Sequence, residues 1–337
     1  MKSMGKSITM RDIAKALEVS TVTVSKALSD KEGVSDEVRA KIKQKAQEMG
    51  YRYNSLAKAM KEGSSYNIGI LVSEKFFSSN SFYSDLYKKI IMELTRIKYS
   101  GILEIISYED EVELNMPNMV VNNKVDGIIL MGQISTGYIE HMDEMGIPYI
   151  FLDFYDEHSQ IGAIVSDNVY GSYLLTNYLI SMGHTQIAFI GNITATSSIL
   201  DRYLGYYKSL LFHNIEMKKE WLISDRDESG KYINIEFPEE MPTAFVCNCD
   251  QVAYHVMEQL KERGYLIPED ISIVGFDDYI YSTICSPQLT TFRVDMEAMG
   301  EIAVDAISKK IVNEEYLMGR KVVSGNLIIR ESVKRIK

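Results

Sequence analysis

The run Ile8-Thr9-Met10-Arg11-Asp12-Ile13-Ala14-Lys15-Ala16-Leu17-Glu18-Val19-Ser20-Thr21-Val22-Thr23-Val24-Ser25-Lys26-Ala27-Leu28 reads as two short helices joined by a tight turn. Thr9 is placed to cap the first, where Ile13, Ala14 and Leu17 form an apolar face. Ser20 caps the second, whose Val24, Ala27 and Leu28 pack back on the first. Thr21, Val22, Ser25 and Lys26 are left outward. Hydroxyls, a valine methyl and an ammonium are groups that read base edges or grip phosphate in a DNA major groove. An ordinary two-helix packing unit with a solvated polar face fits the same pattern, so the surrounding sequence has to decide.

A third helix is expected from Ser35 to Met49, with Ser35 as cap, Val38, Ile42 and Ala46 buried, and Gly50 ending it. Next comes Asn54-Ser55-Leu56-Ala57-Lys58-Ala59-Met60-Lys61, with Asn54 as N-cap. So short a helix is not stable alone in water and forms only when docked. Residues 1–62 carry 13 Lys or Arg against 8 Asp or Glu, and the remainder 23 against 39. The halves of the chain's net charge of −11 are therefore +5 and −16, a small basic module on an acidic body.

Arg11-Asp12-Ile13-Ala14, Val19-Ser20-x-x-Thr23-Val24-Ser25, Val34-Ser35 and Gly50-Tyr51-x-x-Asn54 resemble the headpiece of the LacI/GalR family of bacterial transcription regulators. The resemblance implies that the short segment is a hinge helix folding only on the operator, with Met60 as the minor-groove wedge and Ala57 as the small residue a turn earlier. The expected DNA-contacting set is Thr9, Ser20, Thr21, Val22, Thr23, Ser25, Lys26, Asn54, Ala57 and Met60. Glu18 stands where the family usually has glycine, which strains the backbone if φ is positive there. Tyr53 stands where the family often has proline, and Met60 replaces a leucine.

From Tyr66 onward short apolar runs alternate with amphipathic helices. Strands are expected at Ile68–Val72, Leu103–Ile106, Gly127–Leu130 and Tyr149–Leu152, then at Ile187–Ile190, Ala244–Cys247 and Ile271–Gly275. This βαβα rhythm in two halves means parallel sheets with helices on both faces. Leu289–Phe292 and Asn326–Ile329, separated by a helix over Met296–Val312, carry the chain back between the halves. Val125-Asp126-Gly127-Ile128-Ile129, Gly183-His184-x-x-Ile187-Ala188-Phe189-Ile190-Gly191 and Val274-Gly275-Phe276-Asp277-Asp278 resemble the periplasmic sugar-binding-protein fold used by that family.

The fold expected is thus α/β: a three-helix helix-turn-helix headpiece (1–53), a hinge helix and linker (54–65), and a two-subdomain effector-binding and dimerisation body (66–330). Within the body the first subdomain is expected at about 66–160 and 292–320, the second at about 161–290 and 321–330.

Ligands of open α/β sheets sit beyond the carboxyl ends of the strands, which singles out Ser73, Asp153, Asp167, Cys249 and Asp277. By resemblance, Asp153, Arg202 and Asp277 hold an effector's hydroxyls, while Phe82 and Tyr83 offer ring contacts. Asp153 could instead cap a turn, Arg202 pair with Asp201, and Phe82 belong to the core. Cys249 replaces an asparagine common in the family, Phe154 a basic residue, and Val294 a glutamine. Fewer polar contacts and added aromatics point to a glycoside with an apolar aglycone, or to a flat ring.

Cys247, Cys249 and Cys285 make neither a disulfide framework nor a metal set. No phosphate-gripping loop, metal-spaced cluster or nucleophile elbow is present, and the five histidines are scattered, so neither catalysis nor a cofactor is expected. No signal-peptide run and no span of roughly 20 apolar residues appears, which places the expected protein in the cytoplasm. The function expected is a ligand-responsive, sequence-specific DNA-binding regulator, a repressor of sugar metabolism genes acting as a homodimer on a pseudo-palindromic operator. Control by a partner protein, or by a non-sugar ligand such as a purine, is the alternative. After Ile329 eight residues follow with no apolar heptad run, so a dimer without a tetramer-forming tail is expected.

Overall fold

The computed structural model describes residues 8–51, 63–77, 82–156, 161–227 and 230–336, and the chain divides into two compact units, Met1–Ser64 and Ser65–Lys337. In the first, α1 (Met10–Ala16), α2 (Thr21–Leu28) and α3 (Asp36–Glu48) enclose Ile13, Ala14, Val24, Ala27, Ile42 and Ala46. Glu18, in the turn between α1 and α2, takes φ +53°. That is the left-handed region anticipated for this position, costing about 1 kcal/mol for a residue with a Cβ. A device not foreseen holds the loop after α2. The Arg39 guanidinium donates to the carbonyls of Lys31 (2.8 Å) and Val34 (3.4 Å) and pairs with Asp30 at 3.3 Å.

The second unit has two lobes. A six-stranded parallel sheet has the order β11-β5-β4-β3-β1-β2, built from β1 (Asn67–Ser73), β2 (Ser100–Ile106), β3 (Gly127–Met131), β4 (Tyr149–Leu152), β5 (Ala163–Ser166) and β11 (Arg320–Val323). A four-stranded parallel sheet has the order β7-β6-β8-β9, from β6 (Ile187–Ile190), β7 (Leu222–Ile223), β8 (Ala244–Cys247) and β9 (Ser272–Val274). β10 (Thr291–Arg293) and β12 (Asn326–Ile328) pair antiparallel. The central strands are buried almost without break, as parallel strands covered on both faces must be. Helices α4 (Phe82–Arg96), α5 (Thr136–Asp143), α6 (Asn168–Ser181), α7 (Ser197–Phe212), α8 (Asp250–Glu262) and α9 (Met296–Val312) cover them.

The expected division within the body is corrected at two points. β5 and β11 pair with each other and complete the first sheet, so the chain crosses between lobes after Ser166 and after Val323, not at 160 and 320. β5 has only two large apolar residues, Ile164 and Val165, and β11 opens on exposed Arg320 and Lys321 at the sheet's edge, so neither has a clear strand signature. The segments at 163–166, 222–223 and 320–323 had not been anticipated as strands. No helix among the described residues is long and apolar enough to cross a membrane.

Candidate functional site

On the headpiece the structure separates two roles within the expected DNA-contacting set. Ser20 Oγ accepts the Thr23 N–H at 3.0 Å and lies 2.8 Å from Thr23 Oγ1, so these two hydroxyls build the N-cap of α2. Thr9 donates both its N–H and its hydroxyl to Asp12 at the start of α1. Thr21, Val22 and Lys26 stand exposed, Val22 at 65%, and Ser25 is half-buried beside them. The exposed set offers a hydroxyl, a methyl surface and a cation on one short helix. Asn54, Ala57 and Met60 lie outside the described residues. Substituting Ser20 with alanine removes a cap of about 1 kcal/mol. The amides of α2 should then exchange roughly fivefold faster in the full chain; unchanged exchange would mean the cap is dispensable.

In the body, a cavity of about 190 Å³ lies at the carboxyl ends of strands from both sheets. Six of the seven expected effector residues line it: Phe82, Tyr83, Asp153, Arg202, Cys249 and Asp277. Ser73 does not. It is buried at the end of β1 and its hydroxyl donates to Glu111 at 3.2 Å. Asp167 is likewise a cap, accepting the Tyr170 N–H at 3.3 Å in the first turn of α6.

Arg202 is the centre of the site and only 5% exposed. Its Nε donates to Asn168 Oδ1 at 2.8 Å, its Nη1 to the Asn248 carbonyl at 2.6 Å, and its Nη2 lies 3.2 Å from Asp277 Oδ1. The guanidinium also sits 3.9 Å from the centre of the Phe276 ring. Gly205 allows this, because a Cβ there would collide with the Val169 carbonyl and hold α7 away from α6. Across the cavity the Tyr83 hydroxyl donates to Asp153 Oδ2 at 2.8 Å, while Asp153 Oδ1 is buried with no hydrogen-bond partner.

Backbone strain coincides with this chemistry. Asp153 (φ +66°), Asp277 (+110°) and Asp278 (+54°) all take left-handed conformations just beyond strand ends. Gly275 opens the second of these turns, because a Cβ at that position would strike the Asp250 carboxylate. Asp278 points away from the cavity. Arg293 and Arg330 each hold one of its oxygens at 2.6 Å and, against the pull of burial, keep its pKa low.

Burial pushes the Asp277 carboxyl up to about 7, opposed by Arg202 and reinforced by the charge of Asp153. Burial raises Asp153 too, against Arg202 and the Tyr83 hydroxyl. The Cys249 thiol is pushed up to about 12, by burial first and then by Asp277. It is a neutral wall, not a nucleophile. Among the described residues no group of three or more His, Cys, Asp or Glu is placed to hold a metal ion.

Several lining residues were not anticipated, including Phe76, Arg226, Tyr232, Gln251 and Tyr279. Asn168, which holds the Arg202 Nε, was missed by a single position, directly after Asp167. Arg226 is locked to buried Asp225 at 2.7 Å. Trp221 is core, donating to the Glu240 carbonyl at 3.1 Å.

Two family profiles match the chain: that of the bacterial regulatory proteins, lacI family, over residues 9–54, and that of a periplasmic binding protein-like domain over residues 176–333. A Bacillus subtilis (strain 168) protein named "Probable HTH-type transcriptional repressor ExuR" is 30% identical over 342 residues, covering 98% of this chain and 99% of its own. The HTH-type transcriptional repressor PurR of Vibrio campbellii is 27% identical, covering 97% and 99%. Among solved structures, the lac repressor dimer bound to operator and the anti-inducer ONPF superposes with a TM-score of 0.79 at 22% identity, covering 98% of this chain and 100% of that one. With end-to-end likeness to transcriptional repressors, a helix-turn-helix headpiece and a binding-protein body, this chain belongs to the LacI family: it is a DNA-binding transcription regulator and not an enzyme.

Proposed function

We propose that the chain represses genes of carbohydrate use, with operator affinity set by a sugar or sugar derivative in the cavity at Arg202. The observation that carries the ligand class is the unpartnered, buried Asp153 Oδ1 facing a site organised by the Arg202–Asp277 pair. A buried carboxylate oxygen without a donor is costly, and a ligand hydroxyl supplies one. Carboxylates and a guanidinium bracketing a small space, with Phe82 and Tyr83 at its wall, suit a ring carrying several hydroxyls.

Thr21, Val22, Ser25 and Lys26 are the base- and phosphate-reading side chains in this proposal, while Ser20, Thr23 and Thr9 fix the helix ends. Two copies bind a two-fold operator, with 54–65 as the hinge and 66–330 as the sensor, in the cytoplasm where the DNA is. The ligand acts by biasing lobe closure. Tyr155 donates to Asp201 at 3.0 Å and the Ser197 N–H to Gln133 at 3.1 Å, tying the lobes across the cleft mouth. The test starts by recovering the operator from genomic fragments retained by the protein. Its affinity is then measured by fluorescence anisotropy against a panel of sugars and nucleobases. A sugar that shifts operator affinity at least tenfold is expected. A response to purines alone, or only to an added partner protein, would overturn the ligand class.

A further inference from the structure

The 190 Å³ cavity is not isolated. It shares Lys75, Phe76, Thr196, Arg226 and Gly230 as a common wall with a second, more open compartment of about 750 Å³ within the same body. A ligand of one ring, seated against Asp153, Arg202 and Asp277, leaves that larger space to water. Its lining sets the hydrogen-bonding groups of Gln133, Ser135, Thr136 and Thr194 beside apolar Ile134, Ile193 and Leu200, and its acids, Glu111, Asp156 and Asp227, disfavour an anion. The Ser135 hydroxyl makes no hydrogen bond of its own, not even the cap expected at the start of α5. Phe76 stands at the seam, its ring 5.6 Å from that of Tyr83, and offers an apolar face to whatever passes from one compartment to the other.

Charge at the seam narrows the ligand further. Both cations there are already balanced by buried acids. Lys75 lies 3.5 Å from Glu111, which Ser73 and the Ser135 N–H also hold, and Arg226 lies 2.7 Å from Asp225. An anionic group at this place finds no uncompensated positive charge, and it adds to the repulsion between Asp153 and Asp277.

We infer that the effector is a neutral oligosaccharide of at least two rings, one in the inner cavity and the next in the polar compartment beyond Phe76. This rests on the sugar reading proposed above. The hydroxyls and amides of the outer compartment stand beside apolar Ile134, Ile193 and Leu200, which suits a second sugar ring, with its hydroxyl edge and apolar face, in place of the expected apolar aglycone.

The test is titration calorimetry on the full chain with monosaccharides, the matching neutral di- and trisaccharides, and the corresponding uronic acids and sugar phosphates. A disaccharide is expected to bind at least tenfold more tightly than its monosaccharide, and the acidic derivatives more weakly than either. Ser135→Trp fills the outer compartment without removing a cap bond. It should weaken disaccharide binding at least tenfold while leaving the monosaccharide Kd within twofold, and Thr194→Trp should do the same from the opposite wall. Equal affinity for one ring and two, tighter binding of a phosphate or uronate, or indifference of the disaccharide to both substitutions overturns the inference alone. Binding of nucleobases with no sugar bound overturns the sugar reading as well.

Discussion

Replacing Arg202 with methionine is expected to abolish the effector response while leaving operator binding within threefold of the parent. Three directional contacts and a ring contact converge on this guanidinium in a site nearly closed to water. Methionine keeps the bulk of the stem but orphans Asn168 Oδ1 and the Asn248 carbonyl, and strips two buried carboxylates of their shared cation. Breaking a buried pair in this way costs about 3–5 kcal/mol. The loss has a pH signature. Arg202 is the group that holds the Asp153 and Asp277 pKa values down, so without it both rise further and the acids stay protonated at mildly acidic pH. Thermal denaturation should therefore show a smaller deficit at pH 6 than at pH 8. Anisotropy with the recovered operator, with and without a sugar found to shift the parent protein's operator affinity, reads the functional arm. A variant that still responds to that sugar would remove Arg202 from the ligand site.

What was legible beforehand follows from how each feature is encoded. Tyr149–Leu152, Ile187–Ile190 and Ala244–Cys247 were read with their observed ends, because buried parallel strands are unbroken apolar runs bounded by polar residues. Ala163–Ser166 and Arg320–Val323 were not. The first has only two large apolar residues, Ile164 and Val165, set between Ala163 and Ser166, and the second is a charged edge strand stabilised by its pairing with β5. The strand-end rule and the family likeness together found Asp153, Cys249 and Asp277, but the rule also selected Ser73 and Asp167. A strand end marks proximity to the cleft, not the direction of a side chain. The groups missed are those whose role depends on distant partners. Asn168 meets Arg202 34 positions away, and Glu111 meets Ser73 38 positions away. The adjacent pair Asp225-Arg226 reads in sequence as an ordinary surface pair, and only the fold buries it. The odd headpiece residue Glu18 shows the opposite case, since local backbone demand was visible before any tertiary contact.

The same buried acids make the body's stability fall as pH rises, and Asp277→Asn should make that slope measurably shallower. A carboxyl with a folded pKa near 7 and an ordinary value of 3.8 is protonated in both states below about pH 4, so it has no net effect there. Between about pH 4 and 7 the unfolded chain has released a proton that the folded chain retains, and each unit of pH removes up to about 1.4 kcal/mol of stability. Above pH 7 the full penalty, a few kcal/mol, is present. Burial moves Asp153 and Asp250 in the same direction, whereas Asp278, held low by its two arginines, works in the opposite sense as pH falls. Asparagine matches the shape of the protonated acid and tolerates the φ of +110° at this position. The variant should therefore melt roughly 5 °C above the parent at pH 8 and little differently at pH 5. If the cavity takes the proposed sugar, the variant should lose at least tenfold in sugar affinity, because a charged acceptor lining the cavity has become a neutral one. A parent-like slope between pH 5 and 8, or a lower melting temperature at pH 8, would show that Asp277 is not a strained acid retained for binding.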